Sequence, residues 1–144
     1  MIAVDTNVLI YAHRGENEWH EQAVRRLREL ARGGRRWAIP WPCVHEFFGI
    51  VTHPRIFSPP TPPDAAFVQV DVWRASPRLS LLGETDGHLE VMREIVESGK
   101  VSGPRVHDAR IAAICLQHGV EVLWSADRDF SRFPALKVEN PLVG

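Results

Sequence analysis

The chain has 144 residues, 44% of them hydrophobic and 24% charged, enough apolar content for one core and too little length for a second domain. With 17 Lys and Arg against 18 Asp and Glu, the formal net charge is -1, which excludes a global cationic field for nucleic acid or anionic lipid. Cys43 and Cys115 lie far apart among apolar neighbours with no C-x-x-C pairing, so a zinc ribbon or dithiol motif is excluded and a reduced, cytoplasmic setting is expected. The Met1-Ile2-Ala3-Val4-Asp5 terminus has no basic region, and nowhere do about 18 apolar residues run uninterrupted, so neither a secretion signal nor a membrane span is expected.

Ile2-Ala3-Val4 predicts a short buried strand, which stops at Asp5-Thr6-Asn7, residues suited to turns and helix caps. From about Asn17 to Arg32 the residues His20, Ala23, Val24, Leu27, Leu30 and Ala31 recur at helical steps, and Gly33-Gly34 ends the pattern. Trp37-Ala38-Ile39 reads as a second buried strand. Pro42 then suits the first turn of a helix through Cys43, Val44, Glu46, Phe47 and Ile50, closed by His53-Pro54. Four of the 11 prolines fall between Ser58 and Pro63, which predicts a rigid surface loop. A helix is expected from Asp64 to Ala75, a strand from Leu79 to Leu82, and a helix carrying Leu89, Met92, Ile95 and Val96 that Gly99 terminates. From His107, the residues Ile111, Ile114 and Cys115 give a helical apolar face ending at His118-Gly119. Val120 to Trp124 is a clear strand, and Lys137-Val138-Glu139 suits a last edge strand. Strands separated by helices predict an α/β fold with a mostly parallel sheet, whose ligand crevice lies outside the carboxyl ends of the strands.

The acids fall at that edge. Asp5 ends the first strand, Asp127 follows the strand at Trp124, and Asp108 sits in the first turn of its helix. Glu46 lies in an otherwise apolar helix, where an unpaired charge is costly to bury, so it is expected to face something polar or metallic. Converging carboxylates repel one another unless divalent cations compensate them, and Mg²⁺ or Mn²⁺ prefer such all-oxygen sites and meet substrate phosphates there. Phosphodiester cleavage by water follows, with no protein nucleophile.

Each residue also has a structural reading. Asp5 and Asp108 suit helix caps, Asp127 and Asp129 suit an Asx turn, Asp129-Phe130 can start a short helix, and Glu46 can face solvent; only their joint placement favours a site. His45-Glu46-Phe47-Phe48-Gly49 lacks the second histidine of a zinc protease, and His107 is expected to hydrogen-bond locally. Arg25, Arg28 and Arg32 read first as a solvated helix face and second as an RNA track. Trp19, Trp37, Trp41 and Trp73 read as core or interface residues before base-stacking platforms.

Asp5-Thr6-Asn7-Val8-Leu9-Ile10-Tyr11, Glu46-Phe47, His107-Asp108-Ala109-x-Ile111-Ala112-Ala113 and Ser125-x-Asp127-x-Asp129-Phe130 resemble, in order, the motifs of the PIN domain, specifically VapC-type toxins of toxin-antitoxin pairs. The resemblance covers essentially the whole chain and implies a single PIN domain over residues 1–144. It implies an α/β/α sandwich around a mostly parallel sheet and a cytoplasmic, metal-dependent endoribonuclease. It further implies a homodimer, silenced by an antitoxin whose C-terminal segment occupies the groove. Carried over by motif, Asp5, Glu46, Asp108 and Asp127 form the acidic Mg²⁺ or Mn²⁺ centre, with Asp129 as an auxiliary ligand. Thr6 and Ser125 are then hydroxyls that orient carboxylates or water. Pro40-Trp41-Pro42-Cys43 departs from the Ser or Thr with which many relatives open the Glu46 helix. The contrasting expectations are a catalytically silent PIN-like module that binds RNA or protein, and a nuclease acting on DNA.

Overall fold

The computed structural model describes residues 1–143. Strand β1 (Ile2–Val4) leads into helix α1 (Thr6–His13), followed by α2 (His20–Arg32), β2 (Trp37–Pro40), α3 (Trp41–Val51) and α4 (Pro63–Arg74). The chain continues through β3 (Leu79–Leu82), α5 (His88–Gly99), α6 (Val106–Gln117), β4 (Val122–Trp124) and β5 (Val138–Glu139), with 3₁₀ turns at Gly103–Arg105 and Arg128–Arg132. The five strands lie in the order β3-β2-β1-β4-β5 and every pairing is parallel, as a chain that alternates strands with crossover helices requires. Six helices flank this sheet in an α/β/α sandwich, with α1 packed on α2 and α5 on α6. Covered on both faces, β1 and β2 are buried at every position. Phe47, Leu9, Ile39, Ile111, Ile114 and Leu123 fill the core, and Trp37 joins them with its Nε1 donating to Ser76 Oγ at 2.9 Å. No helix of the described residues is long and apolar enough to cross a membrane, and both cysteines are free and buried.

Local physics moves several boundaries. Helix α2 begins at His20 because Asn17 closes a turn ahead of it: its Oδ1 accepts from Trp19 N–H at 2.7 Å, and its carbonyl accepts from His20 N–H at 3.1 Å. Strand β4 begins at Val122 because Val120 N–H still donates to Cys115 O at 3.0 Å, finishing α6 after the left-handed Gly119. Gly99 is the last residue of α5, while the left-handed position that follows the helix is taken by Lys100 at φ 53°. Gly99 is there for packing, since a Cβ would lie 3.1 Å from the Arg132 carbonyl oxygen and 3.2 Å from the Phe133 ring. Leu89 is 67% exposed, so the inner face of α5 is carried by Ile95 and Gly99, with Met92 and Val96 partly buried against the core as expected.

Candidate metal centre

Parallel pairing of β1 with β4 sets Val4 opposite Trp124, so the residues that follow both strands emerge side by side at the carboxyl edge. Asp5 emerges there with its amide donating to Trp124 O at 2.9 Å, and it is only 5% exposed. Its carboxylate caps α1 and gathers four donors. Oδ1 accepts from Thr6 N–H at 2.8 Å and from Cys43 Sγ at 3.5 Å, while Oδ2 accepts from Ser125 Oγ at 2.7 Å and from Asn7 Nδ2 at 3.4 Å. Burial raises the Asp5 pKa above its ordinary value, with the hydrogen bonds from Ser125, Thr6 and Cys43 acting against it and Asp127 adding to it.

Ser125 couples this buried acid to the next one. Besides donating to Asp5, its Oγ accepts from Asp127 N–H at 3.0 Å and from Asn7 Nδ2 at 3.3 Å. Asp127 caps the Arg128–Arg132 turn through Oδ1, which accepts from Asp129 N–H at 2.8 Å, and Phe130 anchors that turn in the core. The Asx turn and a place in an acidic group therefore coexist in one residue. Across from it, α6 presents Asp108 in its first turn. One carboxylate oxygen each from Asp108, Asp127 and Asp129 lies within 4.8 Å of the other two. Arg105 reaches Asp129 Oδ1 at 3.3 Å. Partial burial, then the charges of Asp127, Asp5 and Asp129, push Asp108 up to about 6 despite Arg105.

Glu46 stands outside that group. On α3 it is open to solvent on one side and faces a cavity of about 390 Å³ on the other, which it shares with Asp108, His45, His107, Pro104, Pro42 and Arg110. Enclosure by the cleft and the charges of Asp5 and Asp108 push it up to about 7, with Arg110 acting against them. The structure thus draws Asp129 into the tight group and sets Asp5 beneath it and Glu46 across the cavity. Of the two hydroxyl residues, Ser125 reaches a carboxylate with its side chain, donating to Asp5. Thr6 reaches it through its backbone amide, while its buried hydroxyl makes no hydrogen bond among the described residues. His107 is exposed and has no hydrogen-bond partner among the described residues, so the expected local bond is absent. Sequence reasoning gave no role of its own to Asn7, whose Oδ1 also accepts from Ala126 N–H at 3.2 Å, or to Cys43; the first was read as a turn residue inside a family motif and the second as a cysteine among apolar neighbours.

A hard divalent cation fits this donor set. The three clustered acids offer oxygen ligands alone, and a cation among them would offset both causes that raise Asp108, its partial burial first and the neighbouring acid charges next.

The PIN domain profile matches residues 2–136. Among curated relatives, Ribonuclease VapC43 of Mycobacterium tuberculosis is 34% identical over 144 residues, covering 100% of this chain and 97% of the relative. The fold is shared with VapBC2 from Rickettsia felis, solved bound to a DNA fragment from their promoter, at a TM-score of 0.68 and 21% identity over 97% of this chain and 98% of that one. It is shared too with Mycobacterium tuberculosis VapC20, described as a sarcin-ricin loop cleaving toxin, at a TM-score of 0.66 and 18% identity over 91% and 93% of the two chains. With the profile spanning every element from β1 through the Arg128–Arg132 turn, short of β5 alone, and a full-length relative in the VapC group, this chain belongs to the PIN-domain family and, within it, to the VapC proteins.

Proposed function

We propose that this chain is a divalent-cation-dependent endoribonuclease toxin that hydrolyses RNA phosphodiester bonds and is neutralised by a cognate antitoxin protein. The observation that carries the reading is the three-acid group of Asp108, Asp127 and Asp129 at the carboxyl edge, with oxygens within 4.8 Å of one another, in a chain of the PIN-domain family. The ribonuclease name of VapC43 and the toxin description of VapC20 support the activity, and the VapBC2 assembly supports a partner protein. The reading takes residues 1–144 as one PIN domain that acts as a homodimer in the cytoplasm, where free buried cysteines and an RNA substrate are both at home.

Asp108, Asp127 and Asp129 would hold Mg²⁺ or Mn²⁺, with Asp5 as the buried acid behind them. When bound, the cation supplies charge neutralisation for the phosphate and activation of the attacking water. Asp5, tied to Ser125, Asn7 and Thr6, keeps β1 and β4 in register at the site, so Asp127 is presented at a fixed position. Ser125 orients Asp127 through its amide. Glu46, pushed up to about 7, is matched to proton exchange near neutrality and would take a proton from the attacking water across the cavity.

The test is cleavage of a single-stranded RNA by the purified protein in magnesium, in chelator, and by the Asp108→Asn variant, with a DNA of the same sequence alongside. Expected are products with 5′-phosphate and 3′-hydroxyl ends in magnesium only, from RNA only. RNA binding without cleavage in magnesium would indicate a silent binding module and overturn the proposal.

A further inference from the structure

In the segment Pro40-Trp41-Pro42-Cys43, Cys43 reaches the acidic centre through Asp5, while Trp41 has a specific geometry of its own and, among the described residues, no contact with the acids. Pro40 and Pro42 are buried and preset the first turn of α3, which leaves Trp41 between them turned outward at 41% exposure. One helical turn on, the His45 ring lies with its centroid 6.0 Å from the Trp41 ring and the two planes inclined by 39°. A Cβ at Gly83 would sit 3.6 Å from Trp41 Cδ1, so the glycine backbone backs one edge of the indole. His45 lines the cavity of about 390 Å³ that also holds Glu46, Asp108 and Arg110, and Asp108 belongs to the three-acid group. His45 therefore shares one cavity with Asp108 of the acidic centre, and Trp41 stands beside His45 next to that cavity.

We propose that Trp41 and His45 form a stacking shelf for one unpaired RNA base next to the scissile phosphate. The inference rests on the nuclease reading and names the part of the substrate held beside it. The cavity falls within the ordinary range for a small-molecule site, enough for a nucleotide. Beside the exposed indole, His45 opens onto a cavity whose other lining groups include the polar Glu46, His107 and Arg110. An apolar helix from a protein partner finds no continuous surface there, in contrast to α4, where Phe67, Val68 and Val72 are 61%, 62% and 61% exposed. A base needs just what the shelf offers, an aromatic face with polar partners at its edge. Arg110, held by Glu84, adds positive charge to the same cavity. A paired base has no free face, so the shelf selects single strands and loops.

The experiment measures binding of a dye-labelled single-stranded RNA to the whole protein in chelator, where cleavage is not required, for wild type, Trp41→Ala and Trp41→Phe. Stacking of one base on an aromatic ring predicts about tenfold weaker binding for Trp41→Ala and near-complete rescue by Trp41→Phe. In magnesium, the loss for Trp41→Ala is expected in KM rather than kcat. An oligonucleotide made abasic at successive positions is expected to lose the wild-type advantage at one position only. Equal RNA affinity of wild type and Trp41→Ala, both folded by circular dichroism, overturns the shelf, as does an advantage that survives every abasic substitution. If Trp41→Ala leaves RNA binding unchanged but weakens capture of the antitoxin, the surface belongs to a protein partner and the proposal fails. Trp41-dependent RNA binding without cleavage in magnesium would uphold the shelf and overturn the nuclease reading alone.

Discussion

Asp108→Asn separates a metal centre from a set of structural caps. Asp108 rises from 3.8 to about 6, through its partial burial first and the charges of Asp127, Asp5 and Asp129 next. A carboxylate whose folded pKa is raised is destabilising when ionised: the penalty is absent below the unfolded value, grows between the unfolded and folded values, and is constant above the folded one. At about 1.4 kcal/mol for each pH unit between those two values, the rise sets a ceiling of about 3 kcal/mol at pH 7, and solvent screening of a half-buried group lowers this to about 1–2 kcal/mol. Asn keeps the shape and removes the charge. In chelator at pH 7 the variant is therefore expected to be the more stable protein by that amount, about 3–6 °C in Tm for a chain of this size. The gap should shrink as pH falls toward 3.8, where both proteins carry a neutral group. Magnesium should invert the order, because it binds the folded wild type and adds about 2.7 kcal/mol at a hundredfold excess over Kd, most of which the variant forgoes. Thermal and urea melts of both proteins, at pH 7 and pH 4, with chelator and with magnesium, measure each contribution. A variant less stable than wild type in chelator at pH 7, or a gap independent of pH, would refute the repulsion between the acids.

Asp5→Ala should abolish cleavage and also cost about 1–2 kcal/mol of stability, because it removes the cap of α1 and leaves Ser125 Oγ and Asn7 Nδ2 without their acceptor; an unchanged urea midpoint would contradict the buried hydrogen-bond hub. Glu46 is needed deprotonated, so kcat/KM in magnesium should fall as pH drops below an inflection at or under about 7, since added cation charge lowers the value, and Glu46→Gln should flatten that profile while reducing activity. Gly99→Ala should lose about 1 kcal/mol despite the better helix propensity of Ala, as its Cβ meets the Arg132 carbonyl oxygen at 3.1 Å; a stabilised variant by urea melt would show that the turn yields.

Much of the molecule was legible in one dimension because the forces that make it are local. Apolar runs such as Ile2-Ala3-Val4 and Trp37-Ala38-Ile39 suit a strand covered on both faces, and the three- and four-residue spacing from His20 to Ala31 buries one stripe of α2. Alternating the two determines a parallel sheet, which in turn sends Asp5 and Asp127 to the same edge. What the tertiary structure alone decided is how close each acid comes and what else holds it. Asp108 and Asp129 are separated by twenty-one residues in the chain, and their oxygens meet only because α6 and the Arg128–Arg132 turn converge at the carboxyl edge. Asp5 spends its oxygens on Thr6 and Asn7 beside it, as a cap residue does, and also on Cys43 and Ser125, 38 and 120 residues away, which no local pattern announces. The same holds for Gly99, whose role is set by a distant carbonyl, and for Trp41, left outside by the two prolines around it. Periodicity reports which side of an element is buried; the distance between side chains on different elements depends on how those elements pack, and that is a property of the whole chain.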